Sequence, residues 1–445
     1  MVLCEQATAA DGASGLSDGQ AESPHETPLS EFEGAVERNY RHNAIVTVLD
    51  GALWWWGSSF VAARTVLPLY VSHFTESTWA IGLLSTVAAA GWFLPQLLTA
   101  NWVERLPRKK VVPVNVGLFS ERLPMLLMAP AALLARRAPA LALIFFFVLY
   151  FWHTLGGGII AVGWQDMFAK VIPLNRRARL FGLTNFVGMG GGALTAIVAS
   201  RVLGSYGFPD GYVVCFAAAG LLIFASWAFL AWVREPALSS PPTTGSQRAY
   251  WQRLPAIVRQ DANFRRYLGA QVVINFSGMA AGFITVYVVQ RWLLPDNYAG
   301  AFTISMLVGQ SLSNLVFGAI ADRKGHKLVL ELSALLGASA VGLAFLAPAP
   351  LWFHLVFVLS GMSVAGFYQS GLMITMEFCA AEIRPTYIGL NNTVSGIAAA
   401  LSPLMGAWLA GAVGYRGLFA AACGIGVLGF ALLHWWVQEP RRAAR

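Results

Sequence analysis

Twelve apolar segments, each about long enough to cross a lipid bilayer, follow one another along this chain of 445 residues. About 20 consecutive apolar residues span the hydrocarbon core as a helix. The segments are continuous, whereas the strands of an outer-membrane barrel alternate over about ten residues. The sequence therefore predicts an all-α polytopic membrane protein with twelve transmembrane helices. Their approximate bounds are 43–71, 79–103, 111–135, 139–164, 179–203, 211–233, 267–291, 298–321, 328–347, 352–376, 387–413 and 416–437.

The scarcity of charge excludes most soluble classes. Asp, Glu, Lys and Arg make up 12% of the residues, about half of the roughly 25% that is usual in soluble domains. A soluble fold needs charged side chains on its surface, so an ordinary soluble enzyme or a disulfide scaffold is excluded. Phosphate-loop, metal-ligand and nucleophile-elbow motifs are missing. We therefore expect neither enzymatic activity nor a cofactor.

One long polar loop divides the segments into two groups of six. It opens with a Ser-, Pro- and Thr-rich linker and continues as a basic, aromatic stretch from Tyr250, which is typical of an interfacial amphipathic helix. The predicted regions are a disordered acidic tail (1–36), an N-terminal six-helix bundle (37–233), a cytoplasmic loop (234–266), a C-terminal six-helix bundle (267–440) and a cytoplasmic tail (441–445).

The distribution of Lys and Arg predicts the orientation. With the N-terminus inside, the cytoplasmic loops and termini carry 23 of these residues and the opposite loops carry 5. Positive charges concentrate on the cytoplasmic side of bacterial inner-membrane proteins. The sequence thus predicts an inner-membrane protein with both termini in the cytoplasm, and its net charge of +8 reflects membrane orientation and not nucleic-acid binding.

The two halves repeat short patterns at corresponding places. Both sixth segments end in a similar tetrapeptide, and both fifth segments open with Gly-Leu and an Asn at the same spacing. Basic loops with an acid at the start follow segments 2 and 8. The pairs are Val-Arg-Glu-Pro at 233–236 with Val-Gln-Glu-Pro at 437–440, 182–185 with 389–392, and 104–110 with 322–327.

This layout and the doubled loop resemble the major facilitator superfamily of secondary transporters over about residues 40 to 440. The second loop carries the family's pattern of Gly318, Asp322, Arg323 and Gly325, with Lys327 as a basic residue. The first loop keeps its charges but has Pro107 in place of the second glycine. The stretch from 164 to 177 is similar to a bacterial subgroup without an assigned substrate. The resemblance implies two bundles around a central cavity that opens alternately to either side.

A carboxylate at a helix end beside a basic loop can hold two helices in one conformation through a charged hydrogen bond. We therefore take the doubled loop as a candidate gate. The alternative is that these basic loops serve only membrane topology. The candidate gating residues are Gly318, Asp322, Arg323, Gly325, Glu104 and Arg105.

Ionisable residues are few inside the predicted segments, where a charge costs about 2.5–3.5 kcal/mol on insertion scales. Asp50 lies in segment 1, and the adjacent Glu121 and Arg122 lie in segment 3. A carboxylate desolvated at a cavity can bind and release a proton. These residues are our candidates for proton coupling. The alternative is that they are paired structural charges that fix the packing of the helices.

Polar and aromatic side chains within the apolar segments are candidates for a substrate cavity. Gln271 and Asn275 share one helix face, as do Gln310 and Asn314. Within lipid such faces must meet water in a cavity or a neighbouring helix, and both alternatives stay open. The candidates are Trp54, Gln271, Asn275, Gln310, Asn314, Tyr368, Gln369 and Asn392.

These features predict a proton-coupled transporter of a small molecule that works by alternating access. We expect efflux by exchange, because Trp54 near Asp50 would suit a cationic or aromatic ligand. The alternative is a proton-coupled symporter for nutrient uptake, and a membrane-embedded sensor or enzyme is the alternative of another class. The expected partners are the small-molecule substrate, protons and the lipid bilayer, with the chain acting as a monomer.

Overall fold

The computed structural model describes residues 27–104, 106–237, 257–379 and 384–440, and every regular element in these ranges is a helix. Ten of these helices are long and apolar enough to cross a membrane. The longest, Tyr387–Trp436, contains predicted segments 11 and 12. The first predicted segment is not among the ten and corresponds to two further helices, Thr27–Phe60 and Val66–Ser72. The twelve-helix prediction is therefore confirmed.

The N-terminal half contains seven α-helices and a π-helical stretch. Two π-helical turns, Val112–Val116 and Leu118–Arg122, lead into α4, so segment 3 is not a regular α-helix at its start. Segment 1 is divided into α1 and α2 by a break at residues 61–65. The helices are α1 (Thr27–Phe60), α2 (Val66–Ser72), α3 (Thr78–Glu104), α4 (Leu123–Leu133), α5 (Pro139–Val171), α6 (Leu174–Tyr206) and α7 (Asp210–Ala231).

The C-terminal half follows the same order. Gly414, with φ 76°, interrupts α13 and separates segments 11 and 12, because glycine adopts a positive φ without steric cost. A short 3₁₀ turn, Gly278–Ala280, divides segment 7 into α8 and α9. The helices are α8 (Ala262–Ser277), α9 (Phe283–Trp292), α10 (Asn297–Lys324), α11 (His326–Leu346), α12 (Trp352–Glu377) and α13 (Arg384–Trp436).

The predicted disordered tail is too long. Helix α1 begins at Thr27, so residues 27–36 are helical, and residues 1–26 lie outside the described part. Tertiary contacts favour this extension, because Val36 is buried and the neighbouring Glu37 pairs with Arg176 at 3.0 Å. The amphipathic helix expected from Tyr250 falls largely on 238–256, which also lie outside the described residues.

The two halves share an apolar core at one end of the molecule only. We call the end where α7 and α13 finish the near end, and the end with His73 and Asp296 the far end. The largest apolar cluster lies toward the far end and contains residues of both halves, including Tyr70, Phe216 and Phe283. The smaller apolar clusters each contain residues of one half. Burial of apolar surface therefore joins the halves mainly toward the far end.

Hydrogen bonds between the halves follow the same distribution. At the far end His73 Nε2 lies 2.6 Å from Asp296 Oδ2, and Tyr212 donates to the same oxygen at 3.0 Å. Deeper in the bundle the Thr65 and Thr303 hydroxyls lie 2.5 Å apart. Helix α3 packs on α13 and α6 packs on α10 across this interface. The halves are thus held together from the far end toward the middle of the membrane.

An asparagine clasp at the near end occurs once in each half. Asn43 Nδ2 donates to the Arg234 carbonyl at 3.0 Å, and the Arg234 N–H donates to Asn43 Oδ1 at 2.9 Å. Asn263 makes the same pair of bonds with Gln438, at 3.0 and 2.9 Å. Each clasp ties the first helix of a half to the segment that follows its last helix. The clasps show that the repeated Glu-Pro tetrapeptides mark structurally equivalent positions.

We predict that Asn43→Ala destabilises the protein by about 1 kcal/mol, because it removes a buried side chain that makes two hydrogen bonds to the backbone of residue 234. The readout is the unfolding midpoint of the purified protein in detergent. Asn39→Ala is the matched control, since the described hydrogen bond of Asn39 goes to the Ala35 carbonyl of its own helix. An equal loss in both variants would contradict the role of the clasp.

Candidate functional site

Asp50 lies inside the N-terminal half and is bonded by neutral donors. Its carboxylate is 4% exposed. Oδ1 accepts a hydrogen bond from Ser226 Oγ of α7 at 2.7 Å, and Oδ2 accepts one from Trp164 Nε1 of α5 at 3.2 Å. The acid therefore contacts protein and not lipid, as a polar group at membrane depth requires.

The second acidic cluster forms in the π-helical turn Leu118–Arg122. Glu121 and Arg122 are each 3% exposed and form an ion pair with one another. Trp54 Nε1 of α1 donates to Glu121 Oε1 at 3.2 Å, and His153 Nδ1 lies 2.8 Å from the Glu121 backbone carbonyl. Arg122 Nε has no hydrogen-bond partner among the described residues. Adjacent residues on an α-helix diverge by about 100°, yet here the two side chains meet within a π-helical turn.

The two clusters belong to one polar region of the N-terminal half. Trp54, which donates to Glu121, follows Asp50 by one turn of the same helix. The structure therefore brings together Asp50, Glu121, Arg122 and Trp54, which were selected from the sequence. It adds Ser226, Trp164 and His153 as their hydrogen-bond partners.

Glycines let the surrounding helices approach this region. A Cβ at Gly188 or Gly191 of α6 would collide with Trp55 or Trp56 of α1. Trp56 Nε1 donates to the Val187 carbonyl of α6 at 3.2 Å. The run Gly156–Gly158 of α5 similarly packs on the backbone of residues 91 and 120. The small residues thus position α1 and α5, which carry Asp50, Trp54, Trp164 and His153.

The candidates on α8 bond within their own helix. Gln271 is buried, and its Nε2 donates to the Tyr267 hydroxyl at 2.7 Å. Asn275 Nδ2 donates to the Gln271 carbonyl at 2.9 Å. The side-chain amides on this polar helix face therefore donate hydrogen bonds to groups within the protein.

The other candidates of the C-terminal half are spread over three helices. Asn314 Nδ2 donates to the Met189 sulfur across the two halves at 3.4 Å. Gln310 is buried, and its Oε1 has no partner among the described residues. Gln369 packs on Gly318, whereas Tyr368 is 66% exposed and Asn392 is partly buried. The described contacts therefore place Asn314 at the interface and do not join these side chains into one cluster.

The described candidate gate residues form no charged bridge in this conformation. Asp322 and Arg323 are exposed and form no ion pair with a described residue. Arg105 and the side chain of Glu104 lie outside the described part of the chain. Gly325 has a φ of 94°, and a Cβ there would collide with the Glu439 carboxylate. The glycine is therefore needed for the close approach of the loop to Glu439.

Glu235 has the corresponding position in the N-terminal half, and sequence reasoning did not select it as a gating residue. Its carboxylate accepts hydrogen bonds from the backbone N–H groups of Lys109 and Lys110, both at 2.8 Å, and from Lys170 Nζ at 2.8 Å. Burial, the largest effect, lowers the pKa of Lys110, while Glu235 acts in the opposite direction. The repeated Glu-Pro tetrapeptide was the signal that could have identified both glutamates.

We predict that Gly191→Ala disrupts the packing of α1 on α6, because the added methyl group meets the Trp56 indole. Gly190→Ala is the matched control, since a Cβ there meets nothing within 4 Å. In a helix this control substitution stabilises by up to about 1 kcal/mol. The measurement is the yield of monodisperse protein and its unfolding midpoint, and equal behaviour of the two variants would contradict the packing account.

Comparison with known proteins agrees with this geometry. The family model described as Major Facilitator Superfamily matches residues 267–445. The mouse putative transporter SVOPL is 30% identical, but the alignment covers 31% of this chain and only 28% of that protein. The enterobactin exporter EntS of Shigella flexneri is 24% identical over 81% of this chain and 84% of the exporter.

Solved structures show the same fold. A D-xylose–proton symporter superposes with a TM-score of 0.65 at 19% identity, covering 90% of this chain and 98% of the symporter. The nucleoside transporter NupG gives a TM-score of 0.61 at 12% identity, covering 89% and 99% of the two chains. With the twelve helices and the repeated halves, these similarities show that the chain has the fold of these transporters, and its C-terminal half matches the Major Facilitator Superfamily model.

Proposed function

We propose that this protein is a secondary active transporter that moves a small molecule across the membrane by alternating access. The distribution of the apolar cores carries the proposal, because one core joins the halves toward the far end while the near-end cores belong to separate halves. Two units joined at one end can separate there and meet at the other. In this conformation the far end is closed.

Proton coupling is assigned to the polar region around Asp50. A desolvated carboxylate bonded only by neutral donors changes protonation more readily than one held in an ion pair. Asp50 has two neutral donors, Ser226 and Trp164, whereas Glu121 is paired with Arg122. We therefore assign the exchanged proton to Asp50 and a structural or relay role to Glu121 and Arg122.

Efflux by exchange is the proposed direction, with uptake by symport as the second candidate. Trp54 presents an indole one turn from Asp50, an arrangement that suits a cationic or aromatic substrate. The similarity over most of the chain to an enterobactin exporter and to a multidrug resistance protein of Yersinia enterocolitica, which is 21% identical over 91% of this chain, also supports efflux. The similarity to a xylose–proton symporter keeps uptake as the alternative.

The substrate would bind between the halves, with Asn314 at the observed interface. The remaining proposed cavity residues are Trp54, Gln271, Asn275, Gln310, Tyr368, Gln369 and Asn392. The positive charges of the near-end loops support an inner-membrane location with both termini in the cytoplasm. We propose that the chain works as a monomer, with the near end on the cytoplasmic side.

Gating is proposed to involve both near-end loops. Asp322 and Arg323 are exposed here, so their proposed bridge forms only when the near end closes. Glu104 and Arg105 are the proposed counterparts in the first half, and Gly318 and Gly325 shape the second loop. The Glu235 and Glu439 contacts hold each loop to its own half while the halves move.

We predict that Asp50→Asn lowers proton-driven flux at least tenfold, because an amide cannot exchange a proton. The measurement uses proteoliposomes, an imposed pH gradient and a substrate identified by thermal stabilisation of the purified protein. Asp210→Asn removes a far-end surface carboxylate and is the control, with flux expected to stay near the native value. Native flux and native pH dependence in the Asp50 variant would eliminate Asp50 as the coupling residue.

We predict that Asp322→Asn slows turnover several-fold and leaves substrate affinity unchanged, because it weakens only the conformation in which the near end is closed. Turnover is measured as flux and affinity as equilibrium binding. The control is Glu76→Gln, which removes an exposed carboxylate from a far-end loop. Native turnover in the Asp322 variant would remove this residue from the gate.

A further inference from the structure

A groove at the near end of the C-terminal half is lined by two arginines and two tryptophans. Its volume is about 440 Å³, and its lining residues are Arg265, Arg266, Trp435 and Trp436. All four side chains are exposed, with Trp435 at 75% and Trp436 at 56%. The arginines lie on the first turns of α8 and the tryptophans at the end of α13.

The internal repeat shows that the fold does not require these residues. The two asparagine clasps align position 45 with 265 and position 46 with 266, because Asn43 corresponds to Asn263. The N-terminal half has Ile45, which is 63% exposed, and the buried Val46 at these places. The same local structure is therefore built with two aliphatic residues in one half and two arginines in the other.

The two arginines keep hydrogen-bonding capacity for an anion. Arg265 Nη1 donates to the carbonyls of Val258 and Arg259 at 3.0 and 3.1 Å, which occupies one of its nitrogens. Neither arginine forms an ion pair with any residue in the described ranges. The nearby Asp261 carboxylate caps α8 through the Phe264 N–H and accepts from the Tyr387 hydroxyl.

We propose that this groove binds the headgroup of an anionic phospholipid. Guanidinium groups bind phosphate oxygens in a bidentate geometry, and indoles favour the level of the headgroups and glycerol. Basic pockets between helices at the cytoplasmic surface bind anionic headgroups. The lipid would connect α8 to α13 at the near end, on the outside of the bundle. This site is independent of the substrate and proton sites.

The test uses purified full-length protein in neutral detergent, titrated with dioleoyl phosphatidylglycerol, dioleoyl phosphatidylcholine or inorganic phosphate. Binding is followed by the unfolding midpoint and by native mass spectrometry. We expect phosphatidylglycerol to raise the midpoint and to remain bound. Phosphatidylcholine and inorganic phosphate should do neither, because the site needs both a net negative headgroup and the apolar part of the lipid.

The variant Arg265→Gln/Arg266→Gln should bind phosphatidylglycerol about 10- to 30-fold more weakly, since each basic residue contributes about 1 kcal/mol to anionic-lipid attraction. The matched control Arg136→Gln/Arg137→Gln removes the same charge from the far end and should bind like the native protein. If the first variant does not yield monodisperse protein, Trp435→Ala/Trp436→Ala replaces it and should also bind more weakly.

Three results would overturn the proposal. One is equal weakening in the far-end control, which would indicate attraction to net charge alone. The second is equal stabilisation by phosphatidylcholine, and the third is the same shift with inorganic phosphate, which would indicate a simple anion site. None of these readouts depends on transport, so their failure leaves the proposed transport function unaffected.

Discussion

Hydrocarbon offers no hydrogen bonds, and this constraint determines how the polar groups of the molecule are arranged. Asp50 is bonded by Ser226 and Trp164, and Glu121 is paired with Arg122 and bonded by Trp54. Except for the Glu121–Arg122 pair, which lies within one π-helical turn, each of these contacts joins a different pair of helices within the N-terminal half. An ionisable group that is costly in lipid is retained where it has a function, and the same bonds that satisfy it also fix the helices around it.

The two similar halves contribute different side chains to the proposed function. Both have an asparagine clasp and a glutamate beside the near-end loop. The buried acids Asp50 and Glu121 belong to the N-terminal half, whereas the amides of the proposed cavity belong to the C-terminal half. The halves share an apolar core toward the far end. In the proposed mechanism, proton binding in one half influences the substrate site in the other through their common interface.

The helices and the repeat could be predicted from the sequence because segment length, apolarity and the Glu-Pro tetrapeptides are local signals. The importance of Asp50 and Glu121 could also be predicted, since few charges lie in apolar segments. Their partners could not, because Trp164 and Ser226 lie 114 and 176 residues from Asp50. The pair of Glu121 and Arg122 lies in a π-helical turn, which could not be predicted from the residue pattern. The start of α1 at Thr27 was missed because it depends on contacts of Val36 and Glu37 with distant residues.

The central claim is that the halves move as two units about a middle interface, and paired distance measurements test it most directly. One pair of spin labels is placed at the far end, on Arg137→Cys and Leu351→Cys, and the other at the near end, on Arg108→Cys and Lys324→Cys. Both pairs are measured in lipid at acidic and neutral pH, with and without substrate. The account predicts that the near-end distance shortens whenever the far-end distance lengthens. Two distances that stay constant under all conditions, or that lengthen together, would contradict it.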